Sequence, residues 1–211
     1  MNDVRPMIFV VDDDASVREA LGNLLESVGF DTQLFSSTEQ FRRATRPSGP
    51  SCLVLDVRLP GANGLDFQDT LRQAGIFIPI IFITAHGNVP MASRALRAGA
   101  VEFLMKPFQK NELLVAIHQA LERDCAQRIE ESEFADLRSR FDELTSRERE
   151  VLELVVSGLT NKEIGSRLGI SEVTTKMHRG QVMRKMNAAS VADLVRMSDK
   201  LKAHSQRQSS R

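Results

Sequence analysis

The chain has 211 residues, which allows one large domain or two smaller ones, and its 28 basic side chains balance 28 acidic ones. Its two cysteines lack metal-ligand spacing and are too few for a disulfide framework, so the composition excludes a zinc finger and a disulfide-stapled secreted domain. No basic and apolar leader opens the sequence and no apolar run is long enough to span a bilayer, so we expect a reduced, cytoplasmic protein without a membrane partner.

The charges are distributed unevenly along the chain. Residues 1–122 carry 11 basic and 14 acidic side chains, whereas residues 171–211 carry 9 basic and 3 acidic ones. An acidic first part and a basic end indicate two domains with separate roles, the second of them at nucleic acid.

Apolar segments alternate with helical patterns over residues 1–122. The predicted strands are residues 7–11, 31–35, 53–55, 79–83 and 101–104, and the predicted helices are residues 15–28, 38–45, 65–73, 88–98 and 111–121. Five β-α units in alternation predict an α/β doubly wound five-stranded parallel sheet that is covered by helices on both faces.

Polar residues follow the ends of four predicted strands: Asp12 and Asp13, Asp56, Thr84, and Lys106. The carboxyl ends of parallel strands share one edge of the sheet, so these side chains can converge there, although a single Asp after a strand could equally be a solvated loop residue. Clustered carboxylates repel one another unless a cation compensates, and Mg²⁺ (or Mn²⁺) prefers such oxygen ligands. A metal beside a free carboxylate, with a hydroxyl and an ammonium group opposite, suits phosphoryl transfer.

Four motifs resemble the receiver domain of two-component response regulators. They are Val11-Asp12-Asp13, the segment Leu55 to Gly61, the segment Ile83 to Gly87 and the segment Phe103 to Phe108. Their order and spacing match the family, and the resemblance implies a flavodoxin-like receiver fold.

The resemblance also implies a role for each residue at the strand ends. It makes Asp56 the phosphoacceptor and gives the metal Asp13, Asp12, Asp56 and the main-chain carbonyl of Arg58 as ligands. It places Thr84 and Lys106 against the phosphoryl oxygens, makes Phe103 the switch aromatic, and implies a cis bond between Lys106 and Pro107.

Some of these residues allow other interpretations. Phe103 could be an ordinary core side chain, because it lacks the hydroxyl that many family members carry. His86 and His118 could serve a phosphorelay or a metal, although a loop and a helix face suit them as well. A haloacid-dehalogenase-like phosphatase would also use an aspartate and Mg²⁺, but its chemistry calls for an Asp two residues after the nucleophile, where this chain has Arg58.

A helical pattern continues beyond the receiver-like segment. The apolar residues Leu113, Ile117, Leu121, Cys125 and Ile129 recur every four positions, and Phe134, Leu137 and Phe141 follow, with no Gly or Pro between Asn111 and Leu144. This favours one long helix that carries a dimer seam, and the alternative is a short helix followed by a polar linker. We therefore divide the chain into residues 1–122, a helical linker of residues 123–140, and residues 141–211.

Residues 141–211 have the pattern of a small all-α domain. Thr145 and Glu148 form a capping box for a first helix, and Thr160 caps a second one. A turn at Gly169 leads to a helix that Ser171 caps and that ends near Met186, which fits a helix-turn-helix unit. A last helix is predicted over residues 190–201, followed by a frayed tail from residue 204.

This part of the chain resembles the DNA-binding domain of LuxR/NarL-type regulators. The matching segments are Leu144 to Leu152, Gly158 to Ile164, Leu168 to Ser171 and Thr174 to Met186. With the receiver in front, the chain resembles a FixJ-type response regulator. The resemblance implies phosphorylation by a sensor histidine kinase, sequence-specific binding to double-stranded operator DNA, RNA polymerase as a further partner, and no enzymatic activity beyond slow self-phosphorylation and dephosphorylation. We further expect the phosphorylated chain to form a homodimer through residues 88–121, because this segment and its end carry opposite charges that suit two-fold pairing: Arg94, Arg97, Glu112 and Glu122.

The candidate DNA contacts lie on the helix over residues 171–186. They are Thr174, Lys176, Met177, Arg179, Gly180, Arg184 and Lys185. Lys and Arg supply phosphate contacts or guanine readout. Thr175 stands where the family usually has Val, and Gly180 costs the helix about 1 kcal/mol relative to Ala. Because of these departures the operator sequence cannot be carried over from the family.

Overall fold

The computed structural model describes residues 5–209. The chain divides into two compact units, residues 1–128 and residues 129–211. The first unit contains a parallel sheet with helices, and the second is helical. Within residues 5–209 no helix combines the length and the apolar composition that a membrane crossing requires.

A parallel sheet organises the first unit. The strands of this unit are β1 (Met7–Val11), β2 (Asp31–Phe35), β3 (Ser51–Asp56), β4 (Arg58–Leu59), β5 (Ala62–Asn63), β6 (Ile80–Thr84) and β7 (Glu102–Met105). Five of them form the parallel sheet in the order β2-β1-β3-β6-β7, and β4 and β5 form a short antiparallel pair. Val11 lies beside Leu55 and Asp56 beside Ile83, so the residues that follow β1, β3 and β6 meet at one edge.

Helices cover both faces of this sheet. They are α1 (Ala15–Ser27), α2 (Thr38–Arg43), α3 (Gly64–Gln73), α4 (Val89–Arg97) and α5 (Lys110–Asp142). Side chains alternate between the two faces of each strand, so Ile8 belongs to the core that includes residues of α1 and α5, and Phe9 belongs to the core that includes residues of α2, α3 and α4. The predicted doubly wound α/β fold is confirmed, and so is the cis bond between Lys106 and Pro107.

The structure resolves the two alternatives for the linker in favour of one continuous helix. Leu113, Ile117 and Leu121 are buried against the sheet, but Ile129 further along the same row is 55% exposed. Phe134, Leu137 and Phe141 of this helix pack in the core of the second unit. Most of the predicted seam is thus packed within the chain, and pairing of two helices through the exposed residues Cys125 and Ile129 stays a prediction.

A buried ion pair holds α5 where its apolar row ends. The Asp124 carboxylate is 3% exposed and accepts hydrogen bonds from the main-chain N–H of Ser51 at 2.9 Å and from Nε of Arg128 at 2.6 Å. Arg128 also donates to the carbonyl of Ser48 at 3.0 Å. These bonds attach two successive turns of α5 to the amino end of β3, the strand that carries Asp56 at its other end.

The second unit packs four further helical segments around a core that includes Leu152, Ile164 and Val182. They are α6 (Ser146–Val156), α7 (Asn161–Leu168), α8 (Glu172–Met186) and α9 (Val191–Ser209). The predicted capping box of Thr145 and Glu148 is present, and Gly169 ends α7 in the left-handed conformation with φ 66°. This turn places α7 and α8 as a helix-turn-helix pair.

The end of the predicted last helix was wrong. The helix α9 continues to Ser209, and the ring of His204 stacks on Phe134 with ring centroids 3.7 Å apart. A contact between residues so distant in sequence leaves no local pattern. The polar composition of the tail alone therefore predicted a frayed end.

The Asp124 cluster yields a stability prediction. Asp124→Ala should lower the free energy of unfolding of the first unit by about 2–3 kcal/mol, because it leaves a buried N–H and a half-buried guanidinium group without their acceptor. Hydrogen exchange of the β3 amides during urea unfolding of the full chain measures this loss. The control is Glu122→Ala, an exposed carboxylate on the same helix, which should change stability by less than about 0.5 kcal/mol. Equal effects of the two substitutions would contradict the role given to Asp124.

Candidate functional site

One ammonium group joins two buried carboxylates at the carboxyl edge of the sheet. Nζ of Lys106 lies 2.6 Å from Oδ2 of Asp12 and 2.6 Å from Oδ2 of Asp56. Asp12 is fully buried and Asp56 is 7% exposed. Lys106 reaches them from the turn after β7, where its main-chain N–H donates to the carbonyl of Thr84 at 2.8 Å. The edge thus brings together residues from β1, β3 and β7, as the sequence predicted.

The three consecutive aspartates after β1 have three different environments. Asp14 is the N-cap of α1, and its carboxylate accepts from the main-chain N–H groups of Ser16 and Val17. Asp12 points into the buried site, and Asp13 is exposed at its rim. Of these three aspartates, Asp14 therefore caps a helix, and the carboxylates of Asp12 and Asp13 are available to the site.

The second oxygen of Asp56 is fixed by the backbone that follows it. Oδ1 accepts a hydrogen bond from the main-chain N–H of Arg58 at 2.9 Å. This contact turns the chain sharply after β3 and brings the backbone of Arg58 to the carboxylate. A haloacid-dehalogenase-like phosphatase would need an acidic side chain at position 58. This chain has there a main-chain N–H that donates to Asp56 and the exposed basic side chain of Arg58.

Burial and the shared ammonium group act in opposite directions on the titration of the site. Burial raises the pKa of Asp12, and the hydrogen bond from Lys106 offsets this only in part. Burial also disfavours the Lys106 ammonium, but its hydrogen bonds to Asp12 and Asp56 outweigh that effect and raise the pKa of Lys106. Lys106 is therefore held charged by the two carboxylates.

The carboxylates satisfy the chemistry of a hard cation site. One oxygen each of Asp12, Asp13 and Asp56 lies within 4.8 Å of the others, and together the three carboxylates exceed the single positive charge that Lys106 supplies. An arrangement of oxygen ligands with excess negative charge fits Mg²⁺ or Mn²⁺. His86 and His118 are both exposed and lie outside this cluster of the described residues.

Thr84 and Phe103 lie on the neighbouring strands β6 and β7. Thr84 is buried at the end of β6, and its hydroxyl accepts from the main-chain N–H of His86 at 3.2 Å. The half-buried ring of Phe103 lies 6.4 Å from the ring of Phe82, centroid to centroid. The geometry thus places the predicted switch pair on neighbouring strands.

Gly87 lies against both members of this pair and was missed in the sequence. A Cβ atom at this position would lie 2.8 Å from Cε1 of Phe103 and 3.1 Å from Cγ2 of Thr84. These distances leave no room for a side chain unless the ring or the methyl group moves. A glycine three residues after a strand-end Thr is a weak signal by itself, because glycine is common in any loop.

The predicted DNA-contacting residues lie on α8, but they are not equally free. Nζ of Lys185 pairs with the buried carboxylate of Glu148 at 2.7 Å, and Nη1 of Arg179 donates to the side-chain oxygen of Asn161 at 3.0 Å. Nη2 of Arg184 donates to the side-chain oxygen of Gln181 at 2.6 Å. Their assignment as DNA contacts stays a prediction, and each contact requires the side chain to leave or share a bond within the domain.

The other candidates on α8 face outwards or cap the helix. Lys176, Met177 and Gly180 are exposed, and Lys176 has no partner among the residues that the structure describes. The Thr174 hydroxyl lies 2.8 Å from the Ser171 hydroxyl at the helix start. Thr175, the departure from the family, is fully buried, and its hydroxyl donates to the carbonyl of Ser171 at 3.1 Å, so a polar residue is accommodated in a core position.

Comparison with protein families matches both units. The model described as "Response regulator receiver domain" matches residues 8–118, and the model described as "Bacterial regulatory proteins, luxR family" matches residues 142–198. Nodulation protein W of Bradyrhizobium diazoefficiens is 50% identical over 197 residues, which are 93% of this chain and 87% of that protein. The transcriptional regulatory protein FixJ of Azorhizobium caulinodans is 41% identical over 191 residues, 90% of each chain.

Solved structures give the same result. The response regulator StyR is 47% identical with a TM-score of 0.83, over 93% of this chain and 100% of that one. Full-length FixJ from B. japonicum is 37% identical with a TM-score of 0.55, over 92% of this chain and 96% of that one. These similarities support the flavodoxin-like sheet followed by a helical DNA-binding domain that the sequence predicted.

The raised pKa of Asp12 leads to a pH-dependent prediction. A carboxyl group whose pKa is higher in the folded state than in the unfolded state lowers the stability of the protein when it ionises. This loss of stability is absent at low pH and complete above the raised pKa. Asp12→Asn should therefore raise the free energy of unfolding by roughly 1 kcal/mol at pH 7.5 in EDTA, while Lys106 keeps Asp56 as its partner.

Urea unfolding of wild-type and variant chains from pH 3.5 to pH 8 measures the difference, which should vanish at the acidic end and shrink when Mg²⁺ is added to the wild type. A variant that is less stable at pH 7.5, or a difference that is the same at every pH, would contradict this account of the buried charge.

Proposed function

Because this chain belongs to the two-component response regulators that join a receiver domain to a LuxR-type DNA-binding domain, we propose that a sensor histidine kinase controls its DNA binding by phosphorylating Asp56. The observation that carries the proposal is the Asp56 carboxylate, which is held between the ammonium group of Lys106 and the main-chain N–H of Arg58. No other carboxylate of the acidic cluster has both contacts.

The proposed reaction uses Asp56 as a nucleophile. A carboxylate oxygen forms a bond to phosphorus while the bond from phosphorus to the histidine nitrogen of the kinase breaks, and that nitrogen keeps the bonding electrons. The product is an acyl phosphate on Asp56. Negative charge grows on the phosphoryl oxygens in the transition state, and the ammonium group of Lys106 lies close enough to stabilise it.

The metal site of the proposal consists of Asp12, Asp13, Asp56 and the main-chain carbonyl of Arg58. Bound Mg²⁺ or Mn²⁺ would supply positive charge against the phosphoryl oxygens and reduce the repulsion among the carboxylates. Asp13 is the most exposed of the three carboxylates, so it stands where an incoming hydrated ion first meets the site.

Thr84, Gly87 and Phe103 form the proposed switch. A phosphoryl group on Asp56 offers acceptor oxygens that compete with the present role of the Thr84 hydroxyl, which now accepts from His86. A movement of Thr84 changes the space beside Gly87, and the ring of Phe103 occupies the remaining side of that space. The three residues therefore shift together, which gives the two-state element that regulation requires.

A homodimer formed through residues 88–121 is the proposed consequence. This surface carries exposed apolar side chains on three elements: Val89 and Leu96 on α4, Met105 on β7, and Val115 on α5. Arg94 already pairs with Asp66 and Asp69 of α3, so Arg97 is the basic residue of α4 that is better placed for a second copy. Two-fold pairing would make the same patch serve both subunits.

The output of the proposed switch is operator binding in the cytoplasm, with RNA polymerase as a further partner. A dimer presents two copies of α8 to two half-sites of double-stranded DNA, about one helical turn or a multiple of it apart. The proposal includes no catalytic residue for a metabolic reaction. Any turnover is limited to slow self-phosphorylation from small donors and hydrolysis of the acyl phosphate at Asp56.

Incubation with acetyl phosphate and Mg²⁺ tests the acceptor. Intact-mass spectrometry should detect one added phosphoryl group, and Asp56→Asn should abolish it because the amide is not a nucleophile of this kind. Asp13→Asn should greatly reduce the Mg²⁺-dependent labelling. Asp14→Asn is the matched control, since Asn also caps helices and this residue serves only α1. Hydroxylamine-sensitive label on the Asp56→Asn protein would sink the assignment.

Sedimentation velocity tests the dimer. We expect the phosphorylated chain to sediment as a dimer and to bind its operator more tightly than the unphosphorylated chain. Arg97→Glu should weaken both effects, because it places a negative charge on the pairing surface, while Arg43→Glu on α2 should change neither. Two forms that remain equally monomeric but differ in DNA affinity would instead show that phosphorylation acts by releasing the DNA-binding domain.

A further inference from the structure

The helix α8 exposes apolar side chains where a DNA-reading helix is expected to carry hydrogen-bond donors. Val173 is 79% exposed and Met177 is 56% exposed. Gly180 follows one turn later, and a Cβ atom added there would meet nothing within 4 Å. These three positions therefore present two side chains without hydrogen-bond donors and one stretch of bare backbone. We call Val173, Met177 and Gly180 the apolar row of α8.

The apolar row points directly away from the domain. Residues of an α-helix follow one another at about 100°, so Val173, Met177 and Gly180 fall within a sector of roughly 60°. Thr175, Val182 and Met186 are buried on the opposite side of the helix. The row is thus the part of α8 that a groove would meet first.

The basic side chains of α8 lie beside the apolar row or beyond it. Arg179 falls on the side of the helix that faces α7, where it binds Asn161. Lys185 is held by Glu148 on the side of α6. Lys176 flanks the row, and Arg184 continues it near the carboxyl end of the helix. This distribution suits contacts to the phosphates on either side of a groove rather than to the base edges at its centre.

We propose that Val173 and Met177 read thymine methyl groups in the major groove. The inference rests on the proposed function and adds the chemistry of sequence recognition to it. In a helix-turn-helix domain the amino-terminal residues of the second helix meet the base edges. The C5-methyl group of thymine is the feature of the major groove that an apolar side chain recognises.

Gly180 complements this readout. Without a side chain at the third position of the row, the backbone of α8 approaches the DNA closely, and Met177 reaches the floor of the groove. The structure offers no packing reason for a glycine here, since the space around it is open on the protein side. The loss of helix propensity, about 1 kcal/mol relative to Ala, is consistent with a requirement imposed by the DNA.

The test begins with selection of operator DNA from a random pool by the full-length chain, with and without acetyl phosphate and Mg²⁺. Each thymine of the selected half-site is then replaced in turn by deoxyuridine, which removes the C5-methyl group and keeps the base pairing. At one or two positions per half-site we expect affinity to fall about three- to fivefold, the effect of one buried methyl group.

The variants assign the methyl contacts to residues. Val173→Ala and Met177→Ala should each bind the thymine operator more weakly and lose the preference for thymine over uracil at one position. Lys176→Ala is the matched control on the same face: it should weaken binding to both DNAs by the same factor and keep the preference. Gly180→Ala should raise the melting temperature and yet weaken operator binding.

The outcomes separate this inference from the proposed function. Selection of no sequence at all would overturn both. A selected operator whose affinity is unchanged by deoxyuridine at every position would overturn the methyl readout and leave the regulator function standing. The same follows if the preference for thymine persists in Val173→Ala and in Met177→Ala.

Discussion

The ammonium group of Lys106, shared by the buried carboxylates of Asp12 and Asp56, is the interaction around which the carboxyl edge of the sheet is arranged. It joins the ends of β1, β3 and β7, and the three carboxylates of the site carry two more charges than this ammonium group neutralises. Uncompensated negative charge costs less at the edge of a sheet, where solvent or a cation can approach, than in the interior. A phosphoryl group added to Asp56 brings further negative charge to the same ammonium group. In the proposed function this added charge would disturb the electrostatic balance of the site, and the surrounding structure would respond to it.

The response is confined by close packing. Thr84 and Met105 are paired neighbours on β6 and β7, and Gly87 lies against Thr84, Phe103 and Met105 at once. Close-packed groups of this kind have few alternative arrangements, so the proposed movement of Thr84 would produce a discrete change rather than a gradual one. Met105 is exposed on the surface proposed for dimerisation. In the proposed function, phosphorylation of the buried Asp56 would therefore affect this surface through Thr84 and its neighbour Met105.

Local patterns predicted most of the fold and the receiver site, and the errors have a common physical cause. Apolar runs that end in Asp, Thr or Lys define both the strands and the edge where Asp12, Asp56 and Lys106 meet, because strand ends and site coincide in a parallel sheet. Features that depend on contacts distant in sequence were not accessible. The stacking of His204 on Phe134, in a helix that continues to Ser209, is one such feature. The hydrogen bond from Arg179 to Asn161 is another, and the DNA contact of Arg179 stays a prediction. Gly87 was missed for the same reason, since only its close contacts with Thr84, Phe103 and Met105 distinguish it from other loop glycines.

The apolar row of α8 bears on why dimerisation would be a suitable form of control. Methyl contacts discriminate modestly, and Lys and Arg contacts to phosphate raise affinity for every DNA sequence alike. If the proposed methyl readout holds, a single domain of this kind would bind DNA with little preference. Two domains held together multiply their discrimination, because both half-sites must match and the second binds at a high effective concentration. Phosphorylation that favours pairing would then change which DNA is bound as well as how tightly, and a weak readout in each subunit would keep the unphosphorylated chain off the operator.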